Sequence, residues 1–402
     1  MRWLRVFAGV KRISICSLIF FLELLVSLIL FVAAKILITT HWSGWTVHDV
    51  HIAGAPAVHP HFEFACEQPT DSLQTMFANA DIVSDLRAIN AGVSLALIDL
   101  SRDRAKVVQQ LNSAAVPVTA WLVLPKWQGY YLNTNNAAAA RARFAEFEKW
   151  TAEYGLRWVG VGLDIEPSLQ EFGAIRADAK WRIAATLIRR CFDSERVLNA
   201  RYAYSALIKE IQARGYPVDT YQFPFIADER KVRSTLLERM FGIVDVRGNR
   251  EVLMLYSSFN HAADSGLLWE YGPDAGAIAI GTTSGDSAVP AEFGPLNWTE
   301  FSRDLIVASR FTRVVGIYSL EGCVQRGYLA RLRSMNWAQP VTIEHEGIRT
   351  VALLRTRIQA VLWMLSHVLY IAAAVLVLDA CAWLIWRQRV RKRVPTNPDR
   401  SS

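Results

Sequence analysis

Eight short runs rich in β-branched and apolar residues recur between residues 61 and 322, most of them followed by an amphipathic stretch or a helix-starting signal. They are HFEFACE (61–67), GVSLALIDL (92–100), PVTAWLVLP (117–125), WVGVGLDIEP (158–167), TYQFPFIAD (220–228), EVLMLYSSF (251–259), GAIAIGT (276–282) and RVVGIYSLEG (313–322). Helices are expected between them at 71–90, 102–114, 137–154, 180–214, 229–241, 297–309 and 324–335, with Ser101, Asn136 and Asn297 as N-caps. Such alternation over about 300 residues predicts an α/β fold. Eight units of this size suit a (β/α)8 TIM barrel better than an open doubly wound sheet. The 180–214 stretch is long for one helix and predicts an extra turn or insertion.

Two longer apolar runs, at 13–40 and 360–386, each exceed the roughly 20 residues a helix needs to cross a bilayer. The expected architecture is therefore a barrel flanked by one N-terminal and one C-terminal transmembrane helix. Its parts are a basic segment 1–12, a membrane helix 13–40, a barrel domain 41–345, a connector 346–359, a membrane helix 360–386 and a basic tail 387–402. The first apolar run also admits a secretory-signal reading, since Val32 and Ala34 mimic a cleavage site. It is long for that role and contains Glu23.

Arg2, Arg5, Lys11 and Arg12 precede the first run, while Arg387, Arg389, Arg391, Lys392 and Arg393 follow the second. The positive-inside rule then puts both termini in the cytoplasm and the barrel in the periplasm or outside the cell, in a bacterial inner or plasma membrane. The two tails carry a basic excess of nine against +7 for the whole chain, which leaves about −2 elsewhere. The basic balance thus belongs to membrane tails and gives no reason to expect nucleic-acid binding. Expected partners are the lipid bilayer and, through the two helices with their intramembrane Glu23 and Asp379, another membrane protein.

No cofactor is expected. The glycines of GAIAIGTTSGD (276–286) lack G-x-G-x-x-G spacing and a Lys. No CxxC pair or zinc-spaced His/Cys cluster occurs, and His51, His59 and His61 merely share a loop-to-strand junction. Ser257 and Ser258 lie in a strand rather than at a nucleophile elbow, which argues against a serine hydrolase. Cys66 ends the first barrel strand and Cys323 follows the eighth. These strands are neighbours in a closed barrel, so either a closing disulfide or two buried thiols is expected.

The fourth strand carries the chemistry. In WVGVGLDIEP the period-two pleat puts Val159, Val161, Leu163 and Ile165 on one face and Gly160, Gly162, Asp164 and Glu166 on the other. The β-branched face suits the surrounding helices, and the two carboxylates fall at the C-terminal rim where barrel active sites lie. Side by side, each raises the other's pKa, so one is expected to stay protonated as a general acid. The bland alternative is a pair of salt-bridged rim residues. Trp127, Tyr130 and Tyr131 follow strand three and would bring aromatic faces to the rim as a sugar platform, or equally serve as packing. Met254 and Tyr256 share a lumen-facing parity in strand six, and Glu321 adds a carboxylate at the end of strand eight.

The Asp164-Ile165-Glu166 motif with Met254-Leu255-Tyr256 resembles the family 18 glycoside hydrolases, the chitinases and endo-β-N-acetylglucosaminidases. The L-D-I-E and later L-Y-S-S-F also look like the family 25 muramidases. The resemblance is confined to these motifs. It departs from the chitinase pattern Asp-x-x-Asp-x-Asp-x-Glu at Val159 and Gly162, where the first two Asp would stand. It implies a β-linked N-acetylhexosamine glycan as substrate. Glu166 would act as general acid, Asp164 would orient the 2-acetamido group as it attacks C1, and Tyr256 would hydrogen-bond that group. A two-carboxylate route would instead use Glu321 as partner. The main rival expectation is an inactive glycan-binding or scaffold barrel within a membrane assembly.

Overall fold

The computed structural model describes residues 47–167, 180–259, 261–263, 265–284 and 294–368, and a few positions beyond as far as residue 385. Two units are distinguished: residues 46–355, and residues 1–45 with 356–402. In the first, eight parallel strands close a barrel in chain order, β2 to β9. These are β2 (His61–Cys66), β3 (Gly92–Ala96), β4 (Val118–Leu122), β5 (Gly160–Asp164), β6 (Val218–Gln222), β7 (Arg250–Met254), β8 (Ala277–Gly281) and β9 (Val314–Tyr318). Closure comes from β9 against β2, with Glu63 opposite Gly316 and Ala65 opposite Tyr318. Two short strands missing from the sequence reading, β1 (Val50–Ile52) and β10 (Val341–Ile343), pair antiparallel and bring the ends of the unit together.

All eight expected strands form, but shorter than their apolar runs. The run 220–228 leaves the sheet at Gln222, because Pro224 cannot donate to a ladder and a helix Phe225–Val232 begins behind it. The run 313–322 ends at Tyr318, where the Ser319 side chain accepts the Gly322 amide and opens the helix Leu320–Gln325. Several expected helices divide for equally local reasons. The 180–214 stretch becomes Lys180–Cys191 and Ser194–Ala213, the second capped by Asp193. The 71–90 stretch divides at Asn79, whose side chain accepts the Asp81 amide. Of the expected N-caps, Ser101 accepts from Arg104 and Asn297 forms a full capping box with Glu300. Asn136 does not cap its helix, because its side chain is spent on the preceding loop.

Apolar parity separates two packed regions. Phe64, Val93, Leu95, Val161, Leu163, Ile165 and Leu253, all fully buried, face the helices in one continuous core. Val159, expected on the same face, precedes β5 and is 55% exposed, lining a cavity with His61, Thr119 and Asp219 at the N-terminal end of the barrel. Inside the barrel, Met254, Val252, Ala277 and Ala279 pack against Tyr221 and Tyr256. Gly162 gives room there: a Cβ would lie 3.0 Å from the Tyr221 ring, which would have to shift to accept it.

Among the described residues no helix is long and apolar enough to cross a membrane. The expected helix 13–40, with Glu23, lies outside the described residues, and so does Asp379. The expected connector 346–359 is helical, within His345–Ser366. Its Arg355 is buried, donates to Asp228 and Asp274, and lies over the Tyr271 ring at 3.9 Å.

Candidate active site

The C-terminal ends of β2, β5, β7 and β9 bring the expected residues to one mouth. The loop after β4 is fastened to the end of β5. The Leu132 amide donates to the Asp164 carbonyl at 3.0 Å, and the Glu166 amide to the Leu132 carbonyl at 3.0 Å. Asn136 stiffens the same loop, donating to the Tyr131 and Gln128 carbonyls and accepting from the Asn133 amide and the Tyr204 hydroxyl. Leu132 is therefore tied to the backbone of both Asp164 and Glu166, which fixes the loop against the two acids.

Asp164 is 4% exposed and Glu166 partly exposed. Withdrawal from water, then the neighbouring charges of Glu166 and Glu67, pushes Asp164 well above the carboxylate range. Burial and Glu67 push Glu166 up to about 8, so it holds a proton at neutral pH. Among the described residues no well-formed hydrogen bond reaches Asp164 Oδ1 or Trp121 Nε1, though the indole lies close enough to favour the ionised acid against the burial that raises it. The salt-bridge alternative is not realised among the described residues, because no Arg or Lys forms an ion pair with Asp164 or Glu166.

Tyr256 reaches the same group. Burial and the charges of Asp164 and Glu166 raise its phenol, and its ring stacks on Tyr318 at 5.9 Å between centroids. Met254, 6% exposed, packs below it in the lumen rather than at the rim. Glu321 is 4% exposed, and burial pushes it up to about 7. Its Oε1 accepts the Glu67 amide at 3.4 Å, and its buried Oε2 has no hydrogen-bond partner among the described residues.

The aromatic group after β4 divides. Trp127, in the single turn Lys126–Gln128, is 76% exposed and free to present its face. Tyr130 and Tyr131, 4% and 7% exposed, instead pack edge to face on each other within a buried cluster that holds Trp121 and Tyr318 in the upper lumen. They line the depth of the mouth, because the fastening of Leu132 to β5 folds the loop inward.

Sequence reasoning missed Glu67. It stands one residue beyond β2, accepts the Tyr318 hydroxyl at 2.7 Å, and raises the pKa of Asp164, Glu166, Tyr130 and Tyr131. The signal was present: the parity that selected Asp164 puts Glu63, Ala65 and Glu67 on one face. Behind it, the fully buried Arg104 donates to the Ala96 and Gln68 carbonyls and to Asp99, bracing the turns after β2 and β3. Cys66 and Cys323 are separate buried thiols. Burial and Glu321 raise the first, and burial pushes the second up to about 12, so both are poor nucleophiles.

No family model matches the chain, and no curated protein matches it. Among solved structures it is similar to the PgaB (BpsB) glycoside hydrolase domain from Bordetella bronchiseptica, at 14% identity over 69% of this chain and 98% of that one, TM-score 0.38. It is also similar to the 3-keto-D-glucoside 4-epimerase YcjR from E. coli, at 13% identity over 69% and 100%, TM-score 0.39. A third likeness is to ScGas2 in complex with a compound, at 14% identity over 75% and 70%, TM-score 0.39. The geometry of this chain itself displays a closed (β/α)8 barrel with a cluster of carboxyl groups at its C-terminal end, two of which burial raises above the carboxylate range.

Proposed function

We propose that the chain is a membrane-anchored glycosidase acting on a β-linked N-acetylhexosamine glycan, of the peptidoglycan or chitin kind, outside the cytoplasm. One observation carries the reading. Glu166 is partly exposed at the barrel mouth and pushed up to about 8, so it meets ligand with a proton to give. General acids of glycosidases need this state at neutral pH. In this reading Glu166 protonates the glycosidic oxygen, Asp164 orients the sugar beside it, and Tyr256 and Trp127 contact the ring. The anchor and its orientation rest on the apolar runs 13–40 and 360–386 and their basic flanks.

The test is release of reducing ends from peptidoglycan and chitin oligomers by the detergent-solubilised full chain, beside a Glu166→Gln variant. Hydrolysis that vanishes in the variant supports the reading. Absence of hydrolysis by wild type sinks it for these substrates.

A second reading, a glycan-binding barrel without catalysis, is favoured by one feature. Tyr130, Tyr131 and Tyr318 occupy the upper lumen that an enzyme would leave to substrate. It predicts glycan binding that survives Glu166→Gln, with no bond cleavage in either protein.

A further inference from the structure

We propose that Glu67, at the mouth end of β2, is the second working carboxylate of the cleft, acting as nucleophile with Glu166 as the acid. The inference rests on the glycosidase reading and replaces Glu321 as the partner in its two-carboxylate form.

Exposure selects the pair. Of the four carboxyl groups at the mouth, Asp164 and Glu321 are each 4% exposed, whereas Glu67 and Glu166 are partly exposed. Among the described residues, the latter two are the mouth carboxylates that keep contact with solvent. Glu321 is moreover engaged by the Glu67 amide at 3.4 Å, which places it behind Glu67.

Hydrogen bonding then divides the roles. Tyr318 donates its hydroxyl to Glu67 Oε2 at 2.7 Å, and the Tyr130 hydroxyl lies beside the same carboxylate. Phenol donors favour the ionised form of their acceptor. Asp164 and Glu166, one residue apart and withdrawn from water, favour the protonated form. Glu67, the acceptor of the Tyr318 phenol, is therefore the carboxylate assigned to meet positive charge developing at an anomeric carbon. A pair of carboxyl groups whose surroundings push them apart in this way divides into acid and nucleophile.

In the first step Glu166 gives its proton to the glycosidic oxygen, the C1–O bond breaks with its electron pair going to that oxygen, and a Glu67 oxygen bonds to C1 as an ester. In the second, the Glu166 carboxylate takes a proton from water, the water oxygen bonds to C1, and the ester electron pair returns to Glu67.

The experiment uses the full chain in detergent. Wild type is treated with 5-fluoro-N-acetylglucosaminyl fluoride and digested for mass spectrometry. Turnover of chitin oligomers is followed in wild type, Glu67→Gln, and Glu67→Gly with and without sodium azide, with melting temperatures confirming that each variant is folded. Expected are a glycosyl label on the Glu67 peptide, a fall of about 100-fold or more in Glu67→Gln, and azide-dependent glycosyl azide from Glu67→Gly. Azide would not restore a carboxylate that only positions Tyr318, so loss without label or rescue overturns the assignment. Wild-type turnover with no label and a Glu67→Gln variant within a few-fold overturns it too, while leaving the hydrolase reading intact. No wild-type turnover overturns both.

Discussion

The two ends of the barrel lumen each gather carboxylates and treat them in opposite ways. At the N-terminal end, Arg250 bridges Glu63 and Asp219, donating to Glu63 Oε2 at 2.6 Å and through Nε to Asp219 Oδ1 at 3.0 Å. A cavity of about 330 Å³ opens beside them, lined by His61, Thr119 and Asn249 among others. At the mouth, Asp164, Glu166 and Glu321 gather beside Glu67; no Arg or Lys among the described residues pairs with those three, and the Arg104 guanidinium behind them is committed to carbonyls and Asp99. β2 contributes to both ends, with Glu63 at one and Glu67 just past the other. A carboxylate given a cation becomes a brace. One denied a cation must keep its proton or find a ligand, and that is a chemically useful condition.

The largest effect that would sharpen this contrast is at the mouth. Glu166→Gln is expected to lower turnover by about 10²–10⁴-fold, the range for loss of a general acid, with the melting temperature unchanged or raised. Initial rates on chitin oligomers beside a thermal melt check it.

The brace should respond in the opposite sense. Arg250→Met leaves Glu63 and Asp219 without their cation, and breaking a buried pair costs about 3–5 kcal/mol. The Arg250 side chain is 28% exposed and partly screened by solvent, so about 2–3 kcal/mol is expected in urea unfolding. Turnover by the folded fraction should be unchanged. If it fell as far as in Glu166→Gln, the two ends would not be independent.

The pH dependence follows from the raised carboxyl of Glu166. Its ordinary value is 4.5 and its folded value about 8, so between the two the folded chain keeps a proton that the unfolded chain has lost. Stability from this group is greatest below about pH 4.5 and is lost as pH rises through about 8. Wild type should therefore melt progressively lower from pH 5 to 8.5. Glu166→Gln should flatten that slope, and the difference between the two curves isolates Glu166 from Glu321 and Asp219, which shift in the same direction. Parallel curves would show that Glu166 ionises normally.

The smallest expected effect lies away from both ends. Asn297→Ala removes the capping box of Trp298–Ala308 and should cost about 1 kcal/mol in chemical unfolding with turnover unchanged.

Much of this was legible in the chain. The eight strands, the inward face of Gly162 and Asp164, the Ser101 and Asn297 caps and the arrival of Tyr256 beside the acids follow from alternation and cap chemistry, which act over a few residues. The strand ends were misplaced because apolar runs continue into helix-opening residues, as at Pro224 and Ser319. Tyr130 and Tyr131 were expected on the rim and lie in the depth, because one bridge between Leu132 and Ile165 turns their loop inward. Cys66 and Cys323 remain separate thiols although β2 and β9 are neighbours, since strand adjacency does not bring two sulfurs together. Glu67 shared the parity of a residue already singled out, but it stood outside any motif.

The order of strands and helices, and the identity of the residues that face the lumen, are determined by the sequence itself, because side-chain period is a local property of the backbone. Which carboxyl groups hold protons, which stay open to a ligand and which become braces was decided only by the closed barrel. Desolvation and charge coupling depend on distances between residues far apart in the chain, such as Glu67, Glu166 and Tyr318, and those distances exist only once β9 has paired with β2.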